Sequence, residues 1–366
     1  MKVLHIVNGE HYAGAEKVQD LIFEEGRVYG IEMMCYLLMN GEFHKLCNIN
    51  ENQLVTSTHK SLNKQVFGFI NFVKKYKPTI VHAHTPRSLL VAFIASKFQP
   101  YKIIYHQHSP ASDCGNSKIK NNLNYLLEKS LSKRIDHIIT VSNSLSSYVR
   151  SYIKEETPIT MIHNGVPNQN ITNVIYEISD FKYKVVMLAL FRESKGLDDL
   201  LFALKLLKEN YSIEISLDLI GGFETQNYEN EIDELIHSLG LGKKIRKIGF
   251  IKNPEELLKN YDYLILPSRR GEGLPMVILE ALSCSLPAIV TDVEGNSEIV
   301  KPNINGYICA PNDPLSISTA LYNGYKDINK YNKLLISTKY NFSNSGNSQV
   351  MFQQINNVYS RVLNEN

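Results

Sequence analysis

The chain has 366 residues, of which 43% are hydrophobic and 21% charged, a balance that excludes a disordered or fibrous protein. One core rarely serves that length, and roughly 100–200 residues per domain predicts two domains. The formal net charge of +2 hides an asymmetry, because residues 1–165 carry 19 Lys/Arg against 13 Asp/Glu and the rest carries 20 against 24. The first half is therefore basic, yet no Lys/Arg run is dense enough to point to nucleic acid. No stretch approaches the roughly 20 apolar residues that span a bilayer, and Met1-Lys2-Val3-Leu4 leads into a strand pattern rather than a signal peptide, so a cytoplasmic location is expected. The five cysteines (Cys35, Cys47, Cys114, Cys284, Cys309) are odd in number and widely spaced. They read as reduced packing residues rather than a disulfide framework or a zinc site.

In chain order, residues 3–7, 79–82, 102–105 and 137–141 are short, largely apolar runs, each followed by a loop and a helical pattern. Strands alternating with helices predict a parallel sheet covered on both faces, since a parallel crossover needs a dozen or more residues. Residues 168–180 are polar and aperiodic and are read as the interdomain linker. A second α/β series follows, with strands expected at 184–190, 216–220, 245–250, 263–267, 288–291 and 306–309. From about residue 316 onward the pattern is helical, interrupted by the polar tract 341–347. The predicted division is 1–167, 168–345, and a last helix at 346–366 returning towards the first domain.

The most informative stretch is residues 267–280, PSRRGEGLPMVILE. A strand ends at Pro267, a loop with two glycines follows, and Pro275 suits the first turn of a helix, which needs no amide donor there. Glu272 then lies in the loop, and Glu280 about five residues into the helix, roughly 8 Å further along its axis. Two carboxylates so spaced can address different parts of one extended ligand over the helix start. The unpaired amides and dipole of that start suit a diphosphate, and Gly273 permits close approach. The bland alternative is a dipole partner and a solvated helix glutamate.

Together with residues 287–292 (PAIVTD) and 295–298 (GNSE), this stretch resembles the donor site of glycosyltransferase family 4, retaining enzymes of the GT-B fold. The resemblance runs from Gly14-Ala15-Glu16 to Gly306. It implies two Rossmann-like doubly wound domains facing each other across a cleft. It assigns Glu272 to the donor sugar and Glu280 to the ribose, with backbone at Gly273 and Leu274 meeting sugar and phosphate. Residues 191–196 (FRESKG) resemble the family's basic loop, where Arg192 and Lys195 would grip the diphosphate. These two stand three apart rather than the commoner five. Ile251 falls where the family's backbone meets the base, and Gly14 where the first loop approaches the donor phosphate. As the glycosidic bond breaks, the leaving nucleoside diphosphate gains negative charge, and fixed cations stabilise it. The missing Asp-x-Asp motif fits metal independence. No cofactor is implied, the nucleotide sugar being a substrate.

Histidines crowd the first half as His82-Ala-His84 and His106-Gln-His108. Alternate strand residues point the same way, so such pairs can share a metal ion, though no acidic ligand is evident beside them. The resemblance instead gives His108 to the donor sugar and leaves His82, His84 and Arg87 to shape the acceptor side or to pack. Two segments, 118–134 with Leu123, Leu126, Leu127 and Leu131, and 62–77 with Val66, Phe69, Ile70 and Val73, combine helical apolar stripes with lysines. Each is either an ordinary helix with its apolar side in the core or a contact with the inner membrane surface that brings in a lipid-linked acceptor. The resulting expectation is retaining transfer of a hexose or N-acetylhexosamine from a UDP- or GDP-sugar to an acceptor hydroxyl, in bacterial surface-polysaccharide synthesis. A sugar-nucleotide 2-epimerase and a non-catalytic subunit of the same fold are the alternatives.

Overall fold

The computed structural model describes residues 1–59, 61–113, 117–153, 156–167, 183–326 and 346–364. The linker expected at 168–180 and most of the tract 341–347 lie outside the described residues. The chain forms two compact units, Met1–Gly165 with Ser348–Asn366, and Val166–Asn347.

The first unit contains β1 (Lys2–Val7), β2 (Glu32–Leu37), β3 (Leu54–Thr56), β4 (Ile80–Ala83), β5 (Lys102–Gln107), β6 (His137–Thr140) and β7 (Ile159–Met161). They pair in the order β3-β2-β1-β4-β5-β6-β7, and every pairing is parallel. β4 and β6 are buried at all four positions, as strands covered on both faces must be. The helix Ser348–Asn364 belongs to this unit. It buries Met351, Phe352, Ile355, Val358, Tyr359 and Val362, a stripe of helical period. Ser348 Oγ donates to Glu25 Oε1 at 2.7 Å, and Phe352 packs on Tyr29 with centroids 5.2 Å apart, fixing it along the helix Gly14–Val28. At about 1.5–3 kcal/mol for each fully buried large apolar side chain, this face supplies the stability a lone helix of its length lacks.

The second unit repeats the plan with β8 (Lys184–Leu188), β9 (Ser216–Ile220), β10 (Ile245–Gly249), β11 (Tyr263–Leu266), β12 (Ala288–Thr291) and β13 (Gly306–Cys309), ordered β10-β9-β8-β11-β12-β13. β10 stops at Gly249, one residue before the expected end, where φ is +87°. The helical pattern begins at Pro314 rather than 316. In both sheets the first strand sits where the order reverses, so the loops leaving β1 and β4, and those leaving β8 and β11, diverge to opposite faces. Such a switch point opens a crevice at the carboxyl ends of the strands.

Candidate functional site

Within the second unit the switch point brings together residues 267–275, after β11, and residues 189–196, after β8. Lys195 ends the short 3-10 turn Glu193–Lys195, and Gly196 follows in the left-handed region at φ +67°. A Cβ on Gly196 would lie 2.1 Å from the Pro267 carbonyl oxygen, so only glycine lets the two loops touch. Arg269 fastens them further. Its amide donates to Ser194 O at 2.8 Å, and its guanidinium forks onto Asp199 at 2.7 and 2.8 Å and reaches Asp198 at 2.5 Å.

Glu272 is 5% exposed. It forms an ion pair with Lys195 and accepts from Ser268 Oγ at 2.5 Å. Its amide donates to Glu294 Oε2 at 3.3 Å, and Thr291 Oγ1 donates to Ser268 O at 2.5 Å, tying the loop to the end of β12. Gly295 packs so closely that a Cβ there would lie 2.0 Å from Gly273 O. Gly273 and Leu274 are buried just ahead of the helix Met276–Ser283, whose N-cap is Pro275. Glu280, on that helix, is 3% exposed. Neither glutamate is a solvated surface residue.

Other expected residues have their own surroundings. Arg192 pairs with Glu224, in the loop after β9, at 3.8 Å, so the loop's two cations face different carboxylates. Ile251 is half-buried beyond β10, at the sheet edge and next to the exposed Phe250. In the first unit Gly14 opens the helix Gly14–Val28, where the Ala13 amide donates to Glu16 Oε2 at 3.2 Å.

The first unit's own switch point is filled by imidazoles. The pairing of β1 with β4 sets His5 beside His82, and His84, His106 and His108 complete the group. Ring nitrogens of His5 and His84 meet at 2.9 Å, and those of His84 and His108 at 3.1 Å. His82 Nδ1 lies 2.7 Å from the Tyr359 hydroxyl. Burial keeps the rings neutral: it depresses His5 to about 3 and His108 to about 4, and holds His82, His84 and His106 well below the usual range. Two overlapping trios, His5/His82/His84 and His84/His106/His108, bring ring nitrogens within 4.8 Å of one another. Ring orientation argues against a shared ion. His106 and His108 stack at 26° and His82 and His84 at 24°, and a metal must lie in the plane of every ring that binds it, so rings stacked face to face would first have to turn.

The two lysine-bearing helices differ. Leu62–Tyr76 buries Phe69, Ile70 and Val73 and is an ordinary core helix on that face. Lys118–Leu131 is inverted: it buries Asn121, Glu128 and Leu131, while Ile119, Leu123 and Leu126 are 75%, 60% and 57% exposed. At about 100° per residue the exposed apolar stripe lies opposite the buried side. Inside, Glu128 accepts from Tyr105 Oη at 2.5 Å, Tyr152 Oη at 2.6 Å and Gln107 Nε2 at 3.1 Å.

Sequence reasoning missed Ser268, Arg269, His5 and Tyr359. Arg269 finds its partners 70 residues away, and no local pattern announces that. His5 is legible only once the strand order is known.

A family model described as Glycosyltransferase Family 4 matches residues 56–169, and one described as Glycosyl transferases group 1 matches residues 169–338. The capsular polysaccharide biosynthesis glycosyltransferase CapH of Staphylococcus aureus is 25% identical over 312 residues, covering 82% of this chain and 83% of its own. The Escherichia coli protein named UDP-Gal:alpha-D-GlcNAc-diphosphoundecaprenol alpha-1,3-galactosyltransferase is 28% identical over 276 residues, covering 70% and 69%. Among solved structures, Anabaena Alr3699/HepE in complex with UDP and glucose superposes with a TM-score of 0.82 at 20% identity, covering 99% of this chain and 100% of that one. Likeness at that identity speaks to the fold, two Rossmann-like units of the GT-B type.

Acid should destabilise the first unit. Below pH 6.5 the unfolded histidines take up protons that the folded cluster refuses, so stability is present above 6.5 and is lost as pH falls towards about 4 for His108 and about 3 for His5. Each held-neutral histidine loses about 1.4 kcal/mol per pH unit in that window. Glu128, raised by burial from 4.5 to about 7, acts oppositely, its contribution being lost as pH rises through that range. Burial raises Glu16 likewise and lowers His137 to about 4, so two groups oppose six and the melting temperature should fall between about pH 6.5 and about pH 5. Both nitrogens of His106 are buried with no hydrogen-bond partner among the described residues. His106→Phe should therefore flatten the acid slope without lowering stability near neutrality, and calorimetry across this pH range checks both outcomes. Gly196→Ala should separate the two loops at Pro267 and cost about 1–3 kcal/mol or more, read as a lowered denaturant midpoint of the second unit.

Proposed function

We propose the following reaction for this chain, which belongs to glycosyltransferase family 4: transfer of a hexose or N-acetylhexosamine from a nucleoside-diphosphate sugar, with retained anomeric configuration, to a hydroxyl of a lipid-linked saccharide. The observation that carries it is the largely buried Lys195–Glu272 pair, supported by Ser268 and set at the carboxyl ends of β8 and β11 just before the start of a helix. Lys195 is the cation for the departing diphosphate, and Glu272 holds it in place before the donor arrives and then faces the sugar. Gly273 and Leu274 offer backbone to sugar and phosphate, Glu280 takes the ribose, and Ile251 lies by the base. Gly14 and His108 serve from the first unit, and Arg192 assists Lys195 by charge from its place on Glu224. The leaving phosphate accepts the proton of the attacking hydroxyl. The name of the E. coli relative, with its UDP-sugar and its diphosphate-lipid acceptor, supports a UDP-sugar and a lipid-linked acceptor here.

The inverted helix supports delivery of that acceptor from a membrane surface. Ile119, Leu123 and Leu126 form an apolar stripe flanked by the exposed Lys118, Lys120 and Lys129, the arrangement of a helix that lies in a lipid headgroup layer. No described helix is long and apolar enough to cross a membrane, so the expected contact is peripheral.

Glu272→Gln should lower kcat by at least ~10-fold, equivalent to ~1.4 kcal/mol of transition-state stabilisation. Lys195→Ala should do the same and also destabilise the second unit by about 3–5 kcal/mol, because it strands a buried carboxylate. The double variant Lys195→Met with Glu272→Gln should regain that stability without regaining turnover. Initial rates with UDP-sugars and a lipid-diphosphate saccharide read these effects, and full turnover by folded Glu272→Gln would remove the assignment. Replacing Ile119, Leu123 and Leu126 together by Asn should abolish co-sedimentation with anionic vesicles while leaving the melting temperature unchanged. Equal vesicle binding by wild type and variant would refute the membrane contact.

A further inference from the structure

Arg87 stands at the second position of the helix Pro86–Ser96, which follows β4. It is half-buried, and its surroundings hold it without neutralising it. Nη2 donates to Gln65 Oε1 at 2.9 Å, and Nη1 lies 3.9 Å from Met39 Sδ, a weak acceptor. Gln65 is fully buried, and its Nε2 donates to Leu38 O at 2.8 Å and to His59 O at 2.9 Å. Two carbonyls can be met only by the NH2 side of an amide, so Gln65 cannot be flipped and its oxygen must face Arg87.

What Arg87 lacks is an anion. No carboxylate among the described residues pairs with it. A guanidinium has five N–H donors; two are engaged here, and three have no partner among the described residues. The start of a helix adds partial positive charge at this spot. Thr85 Oγ1, two residues earlier, donates to Asn8 Oδ1 at 2.9 Å, which leaves the Asn8 NH2 group as a further donor without a partner among the described residues.

The neighbouring surface is apolar and basic. The helix Pro86–Ser96 packs between Leu62–Tyr76 and Lys118–Leu131, and all three follow strands, so all begin at the carboxyl edge of the first sheet. The starts of the outer two expose Leu62, Phe67, Ile119 and Leu123, with Lys64, Lys118 and Lys120 among them. A lipid diphosphate carries an apolar chain, an anion and a sugar in that order. Along this edge the first unit offers apolar helix starts, a held cation and the switch-point crevice.

We propose that Arg87 receives the diphosphate of a lipid-linked acceptor, forking onto its oxygens with the N–H groups that Gln65 leaves available. This deepens the proposed transferase reading and rests on its lipid-linked acceptor. Arg87 then selects a phosphate-bearing acceptor over a neutral glycolipid, and it acts in binding rather than in bond breaking.

The test is calorimetry of the full-length protein with geranyl diphosphate, a short lipid diphosphate without a sugar, in saturating UDP so that the donor site is filled. Wild type should bind it, Arg87→Gln at least about tenfold more weakly, and Arg87→Lys in between. The lysine variant also covers the case in which Arg87→Gln folds poorly. With a lipid-diphosphate saccharide, Arg87→Gln should raise the acceptor KM at least about tenfold and leave the donor KM unchanged. With the same saccharide on a neutral alkyl chain, that difference should vanish. Arg87→Gln should still co-sediment with anionic vesicles, which separates the acceptor's own diphosphate from bulk headgroups. Equal geranyl diphosphate binding by wild type and Arg87→Gln, a rise confined to the donor KM, or loss of vesicle binding with geranyl diphosphate binding kept would overturn the proposal. The binding measurement needs no turnover, so a failure of the transferase reading and a failure of this anion site give different results.

Discussion

A carboxylate taken out of water must be answered by a cation and by hydrogen bonds, and Glu272 is answered by Lys195 and Ser268. That requirement dictates much of the second unit. Lys195 and Glu272 are 77 residues apart, so β8 and β11 must be neighbours, their loops must touch, and Gly196 must lack a side chain to let them. Arg269, held by Asp198 and Asp199, keeps the second loop from drifting. Buried ion pairs add little net stability, since desolvation offsets their attraction. An apolar pair would hold the loops as well.

The sequence spelled out the alternation of strand and helix, and therefore two parallel sheets, because crossovers need helices and covered strands need continuous apolar runs. The stretch 267–280 also carried its own local grammar: a strand end, glycines, a helix-opening proline and two glutamates. What it could not carry was pairing across distance. Arg192 and Lys195 read as equivalent cations in one loop, yet Glu224 and Glu272 draw them to different partners. Helix 118–131 shows a second limit. Periodicity reports that a stripe exists, not which side of the helix faces the core. Here Glu128 and its three donors occupy the inside, and Leu123 and Leu126 are left out in solvent.

The histidines show how much topology adds to residue type. Two His-x-His pairs on neighbouring strands suggest a metal site by donor count alone. In the fold the rings stack, their nitrogens bond to one another, and burial keeps them neutral. His5 and Tyr359, which complete the cluster, come from the first strand and the last helix. Their part follows from topology rather than from any motif.

That last helix gives the molecule an order of assembly. Residues 166–347 lie in one unbroken segment and can finish folding while synthesis continues, whereas the unit that starts first lacks its closing helix until residues 348–364 leave the ribosome. Until then the apolar side of the helix Gly14–Val28 is uncovered and His82 has no phenol to meet. A frameshift or early stop just before position 348 would spare the second unit and yet leave a half-finished first unit for chaperones and proteases to find.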